Sequence, residues 1–255
     1  MLNSRVIPCL LLQNEGLIKT LKFAKPKYIG DPINAIRIFN DKEVDELIVL
    51  DIDASKDERD PNFTLIEKFA SECFMPLCYG GGIRSVQQAQ QLFALGIEKI
   101  CLQTAALDDP KIITEIANRF GRQSVVASVD IKKNLLGEHQ IYRSVDGKKV
   151  KQPWLQCLQQ LVNAGAGEVI VNSVDRDGTM AGMDLELIRE AASAVTVPLI
   201  AMGGAGSLSD MKSAINAGAS AVSAGAFFVF QGPHRAVLIT YPDYQELENI
   251  LGKKQ

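Results

Sequence analysis

The 255-residue chain is 47% apolar, enough for a sizeable core, and its 27 basic and 30 acidic residues leave a net charge of −3. Charges spread along the chain exclude the basic face that nucleic-acid backbones require, and no run approaches the roughly 18 apolar residues of a membrane span. Five cysteines without a CxxC pair, and a start (Met-Leu-Asn-Ser-Arg) with no secretory pattern, point to a reducing, cytoplasmic setting.

In chain order, apolar β-branched runs predict strands at 5–12, 46–52, 76–79, 98–103, 124–130, 167–173, 197–202 and 220–225. Between them, stretches such as Val86–Leu95 and Asp210–Ala217 carry apolar residues at i, i+3 and i+4 and predict helices. Eight strands alternating with helices predict an α/β fold, one (β/α)8 TIM barrel occupying 1–255 as a single domain. Two segments break the alternation. Residues 13–31 read as a long loop after the first strand, with Lys19, Lys22, Lys25 and Lys27. Residues 131–153 follow the fifth strand and carry Asp146-Gly147, a two-residue hairpin signal. Both leave C-terminal strand ends, where barrels of this kind keep their sites. The lysine-bearing loop reads either as a lid over an anionic substrate or as a solvated surface loop.

An internal repeat runs through the chain. Gly81-Gly82 and Ser85 recur as Gly203-Gly204 and Ser207, and Glu46-Leu-Ile-Val recurs as Glu168-Val-Ile-Val, each pair 122 positions apart. A period near half the chain predicts two similar half-barrels. Glycine after a strand lets backbone approach a ligand, and the next helix offers free N–H groups. Gly80-Gly81-Gly82 beside Gln103-Thr104-Ala105, and Gly203-Gly204 beside Gly225 and Asp177-Gly178, therefore predict two phosphate sites across the mouth.

Strand parity gives one further pattern. The sets Arg5/Ile7/Cys9/Leu11, Glu46/Ile48/Leu50, Lys99/Cys101/Gln103 and Glu168/Ile170/Asn172 each place one charge at the N-terminal end below apolar residues. Facing inward, Arg5, Glu46, Lys99 and Glu168 form a neutral ring on the barrel floor. Such a ring is either a salt-bridged plug or a gate passable by a small neutral molecule such as ammonia. Cys9 and Cys101 read as interior filler and Trp154 as a packing residue. No His/Cys/Asp cluster has metal-ligand spacing, and no cofactor is expected.

Arg5-Val-Ile-Pro-Cys, Gly30-Asp-Pro, Asp45-Glu-Leu-Ile-Val-Leu-Asp-Ile-Asp-Ala-Ser, Gly80-Gly-Gly-Ile, Thr104-Ala-Ala, Asp175-Arg-Asp-Gly-Thr and Gly203-Gly-Ala-Gly together resemble the cyclase subunit of imidazole glycerol phosphate synthase. The resemblance implies a separate glutaminase docked under the barrel, at its N-terminal face. Ammonia would pass the gate Arg5, Glu46, Lys99 and Glu168 and meet a bis-phosphorylated ribulosyl nucleotide at the other face. It implies phosphate or substrate contacts at Lys19, Gly82, Gln103, Thr104, Asn172, Asp177, Gly178, Gly204 and Gly225. The chain's two histidines, His139 and His234, lie in an inserted loop and near the C-terminus, so a partner must supply ammonia.

The family's cyclisation uses two aspartates, at the ends of strands 1 and 5. The second is Asp130; the first falls on Leu11, within Leu10-Leu11-Leu12. Gln103, Asn172, Met202 and Ala226 depart from the family's asparagine, threonine, serine and serine. These changes imply an altered acceptor, and Gly16–Phe23, Tyr28–Ala35 and Gly232–Pro242 resemble a branch delivering ammonia for acetamidino groups on surface sugars. The first expectation is thus an ammonia-conducting subunit with diverged acceptor chemistry. The alternatives are a histidine-pathway cyclase and a non-catalytic scaffold that activates a glutaminase.

Overall fold

The computed structural model describes residues 4–147, 150 and 152–252. Eight parallel strands close on themselves: β1 (Arg5–Gln13), β2 (Leu47–Asp51), β3 (Leu77–Gly80), β4 (Lys99–Leu102), β5 (Val125–Lys133), β6 (Glu168–Ser173), β7 (Leu199–Met202) and β8 (Ala221–Ala224). Each pairs with the next, and β8 returns to β1 with Arg5 opposite Ala221 and Ile7 opposite Ser223. Helices follow most strands, giving the (β/α)8 barrel expected.

Strand alternation produces two apolar layers. Outward residues such as Val6, Leu10, Leu47, Val49, Ile100 and Val169 pack under the helices. Inward residues form a separate stack of Ile7, Cys9, Ile48, Cys78, Cys101, Val126, Ile170, Ile200, Met202 and Ala221, capped by Leu11 and Leu50. Cys9 and Cys101 are interior filler, and burial pushes both thiols up to about 12. Trp154 opens helix Trp154–Ala164 and is buried.

The half-barrel repeat holds in three dimensions. Ser85 and Ser207 cap helices Val86–Ala94 and Leu208–Asn216 by accepting from the third helical N–H. Gly81 and Gly203 have φ of 119° and 97°. A Cβ on either would overlap the carbonyl ending the preceding strand, Asp51 or Ser173, themselves 122 positions apart. The glycines allow the turn and let adjacent strand ends approach.

Both irregular segments differ from the reading of the sequence. Residues 13–31 are mostly a β-hairpin: Gly16–Leu21 pairs antiparallel with the end of β1 and with Ala24–Gly30. Its tip, Lys22-Phe23, has φ of 51° and 61°, a conformation that ordinarily calls for Asn-Gly. In residues 131–153, β5 runs on to Lys133 and pairs with His139–Ile141. The reversal lies at 134–138, where Asn134 Oδ1 accepts from the Leu136 and Glu138 N–H groups. Asp146-Gly147 instead ends a turn closed by the Gly147 N–H on Arg143 O, and residues 148, 149 and 151 lie outside the described residues. Among the described residues no helix is long and apolar enough to cross a membrane.

Candidate active site

The C-terminal strand ends surround a cavity of about 440 Å³. The hairpin Gly16–Gly30 arches over one side of it and is tied down at several points. The Thr20 hydroxyl donates to Asp177 Oδ2 at 3.1 Å, and the Lys22 N–H donates to Asp177 O at 2.9 Å. Lys27 Nζ donates to Arg235 O at 3.0 Å. Phe23 meets Tyr142, beside the β5 extension, edge to face at 6.1 Å between centroids. Lys19, alone of the segment's four lysines, is buried and lines the cavity. Its ammonium lies against Gly225, where any Cβ would collide with it.

The residues expected to hold phosphates gather on two sides of this cavity. Gly82 and Thr104 sit beyond β3 and β4, near Ser55 and Lys56; the Gly82 N–H donates to Ser55 Oγ at 3.2 Å. Asp177, Gly178, Gly204 and Gly225 sit beyond β6, β7 and β8, with Lys19 over them. At Gly178, φ 68°, a Cβ would collide with Thr20 O, so this turn is also the seat of the hairpin. Each side thus joins backbone freed by glycine to one lysine, Lys19 or Lys56. Ser55 closed the quoted stretch that begins at Asp45 but was given no role there, and Lys56, just beyond it, was not singled out.

Asp130, at the β5 end, is buried and lines the cavity. Gln103 Nε2 donates to its Oδ2 at 2.5 Å and Asn172 Nδ2 to its Oδ1 at 3.1 Å. Burial pushes the carboxyl up to about 7; the two amide donors pull it down, and Asp177 adds to the rise. Ser144 donates to Gln103 Oε1 at 2.9 Å, fixing that amide. No pattern in the sequence pointed to Ser144. Leu11 and Leu50, on the neighbouring strands β1 and β2, make an apolar wall of the same cavity. β1 and β5 are four strands apart either way round, so Asp130 faces the apolar side. Asp51 is committed to structure: its Oδ1 accepts from the Asp53 and Ala54 N–H groups at 3.2 and 3.0 Å, with Arg59 at 3.6 Å.

At the opposite end the four expected charges form one closed, alternating ring. Arg5 pairs with Glu46 and, at 3.2 Å, with Glu168; Lys99 lies 3.0 Å from both Glu46 and Glu168. Glu46 is 2% exposed. Burial works against the Arg5 charge, but Glu168 and Glu46 outweigh it and hold the guanidinium above its usual value. Such a ring closes the floor without a net charge.

Folding brings together one cluster that sequence spacing did not show. His139, in the β5-paired strand rather than a loop, lies within 4.8 Å of Asp184 and Glu186 through ligand-type atoms. Lys133 Nζ already sits 3.4 Å from Asp184 and 3.5 Å from Glu186, and His139 Nδ1 is 3.1 Å from Glu190. A cation is thus supplied by the chain itself, and the cluster reads as an ion-pair network. His234 is exposed.

Comparison with known proteins agrees with this geometry. Residues 5–233 match the family model described as histidine biosynthesis protein. The chain is 53% identical over 249 residues to a Pseudomonas aeruginosa protein provisionally named imidazole glycerol phosphate synthase subunit hisF2, covering 97% of this chain and 99% of that one. It is 48% identical to a Leptospira interrogans protein provisionally named subunit HisF of the same synthase, over 98% and 99% of the two chains. Against the imidazole glycerol phosphate synthase subunit HisF of Alkaliphilus metalliredigens it is 37% identical over 89% and 91%. The chain belongs to the histidine biosynthesis protein family, within its HisF-type group.

Proposed function

We propose that the chain is the synthase subunit of an imidazole glycerol phosphate synthase-type pair. A separate glutaminase docks at the N-terminal face and releases ammonia, which crosses the Arg5–Glu46–Lys99–Glu168 ring. Ammonia then meets a bis-phosphorylated ribulosyl nucleotide held by Lys19, Gly178, Gly204 and Gly225 on one side and by Gly82 and Thr104 on the other. The observation that carries this reading is a closed four-charge ring beneath a cavity with two glycine-lined cradles. Asp130 is the acid–base group. With its carboxyl near neutrality it can both take and return a proton at working pH.

The names of the three relatives favour this histidine-type cyclase over the sugar-acetamidino branch. One observation favours a diverged acceptor instead. Leu11 stands where the family's first aspartate would be, and losing one acid–base group lowers rates by about 10²–10⁴-fold. Steady-state turnover of the ribulosyl nucleotide with ammonium salt, run beside Leu11→Asp, decides between them. Robust wild-type turnover supports the cyclase. Turnover only in Leu11→Asp, with substrate still bound by the wild type, moves the reading to another phosphorylated acceptor.

A further inference from the structure

Among the described residues, four buried side-chain atoms lack a hydrogen-bond partner; Glu168 Oε2 and Arg143 Nε belong to ion pairs with Arg5 and Asp146, which leaves Asn172 Oδ1 and Ser223 Oγ with neither. Both residues are more than nine-tenths buried. Asn172 spends its Nδ2 on Asp130, which turns its oxygen away from that carboxylate. That oxygen lies beside Gly203 at the cavity wall, 2.9 Å from where a Cβ on Gly203 would stand. Ser223 is fully buried and lies outside the cavity lining.

The strand registers connect the two. Asp130 is opposite Asn172, Asn172 opposite Met202, Met202 opposite Ser223, and Ser223 opposite Ile7. Asp130, Asn172 and Met202 line the cavity, whereas Ser223 and Ile7 are sealed inside. Barrel strands tilt against the axis, so a row in register runs obliquely from mouth to floor. This row starts at the acid–base carboxylate and ends two residues above Arg5 of the ring. Met202, an unbranched and adaptable side chain, holds the position between the two residues in this row.

A buried polar atom without a partner is unfavourable and asks for an explanation. Two of them, in one row of an otherwise apolar stack, suit a small neutral molecule with N–H donors. We propose that Ser223 Oγ and Asn172 Oδ1 are successive acceptor points for ammonia on its way to the mouth, with Met202 swinging aside between them. This rests on the ammonia-using reading above. At the upper point Asn172 Oδ1 takes one N–H, which leaves the ammonia lone pair free to face the acceptor.

The test uses the complex with its glutaminase, driven by glutamine or by ammonium salt. Asn172→Val is expected to raise KM for ammonia about tenfold, well beyond any rise in KM for the phosphorylated acceptor, and Asn172→Thr, which keeps an oxygen there, to restore it. Ser223→Ala is expected to lower the glutamine-driven rate several-fold more than the ammonium-driven rate. An unchanged KM for ammonia, or a rise confined to the acceptor, overturns the assignment of Asn172; equal effects on both rates overturn that of Ser223. Crystals of the chain soaked in hydroxylamine, a small amine with two heavy atoms, give an answer that needs no acceptor. Two-atom density against Asn172 Oδ1 and Ser223 Oγ supports the row, and a single water at each overturns it. If the wild type turns over no ribulosyl nucleotide from either source, the proposed function fails while the soak still decides the row.

Discussion

Asp130 shows how far one residue's chemistry follows from its surroundings. The Ser128-Val-Asp-Ile-Lys stretch made it legible as a strand-end carboxylate, but its pKa is raised first by burial and then adjusted by three residues from other segments. Parity placed Gln103 and Asn172 at inward strand ends and Asp177 was expected at the site, but that these side chains meet Asp130 follows only from folding. The folded carboxyl titrates near 7, above its ordinary value of 3.8, so the folded state holds the proton more tightly than the unfolded chain. Stability from this group is therefore complete below about pH 4 and lost as pH rises through 7. Asp130→Asn should flatten that slope, seen as a smaller difference between urea midpoints at pH 5 and pH 8 than in the wild type. The same substitution should lower turnover by about 10²–10⁴-fold. If the scaffold reading were right, Asp130→Asn would leave activity untouched. The wild-type rate should rise with pH through about 7 where Asp130 acts as base.

Among elements, the hairpin Gly16–Gly30 is where the reading of the sequence fell short. Its tip lacks the Asn-Gly signature, and Lys22 and Phe23 hold positive φ because outside contacts compensate. The Lys22 N–H reaches Asp177 O, and Phe23 abuts Tyr142. Register shifts near Leu17 and Lys19 further blur a period of two. Lysines that looked like one solvated set divide by role: Lys19 is buried over Gly225, while Lys22, Lys25 and Lys27 stay outside the cavity lining. The seat of the hairpin is Gly178, where a side chain would meet Thr20 O and strain a φ of 68°. Gly178→Ala should therefore lift the hairpin, raise KM for the phosphorylated acceptor at least tenfold and speed proteolysis within residues 16–30. If KM stays unchanged while the hairpin is cut faster, closure has no part in binding.

For the whole molecule, the barrel was legible because each strand carries a continuous apolar run and the two halves repeat. The ring was legible in membership but not in state, since parity places four charges on the floor without saying whether they close. They do close, and removing one member leaves buried charge uncompensated. Glu46→Gln should cost roughly 2–4 kcal/mol in urea unfolding, less than the most buried pairs because Arg5 is 30% exposed. A loss under 0.5 kcal/mol would mean that solvent screens the ring.

The ring's parentage has a consequence for assembly. Glu46 and Glu168 are repeat mates, but the positions 122 residues after Arg5 and Lys99 are Ala127 and Ala221. Both cations therefore come from the first half, and the second half contributes only the carboxylate that both of them reach. A chain severed near Gly121, between β4 and β5, would yield two fragments with complementary charge at the floor. Co-expressed, they should reconstitute a barrel in one orientation, and Glu168→Gln in the second fragment should weaken that recognition more than it weakens the intact chain.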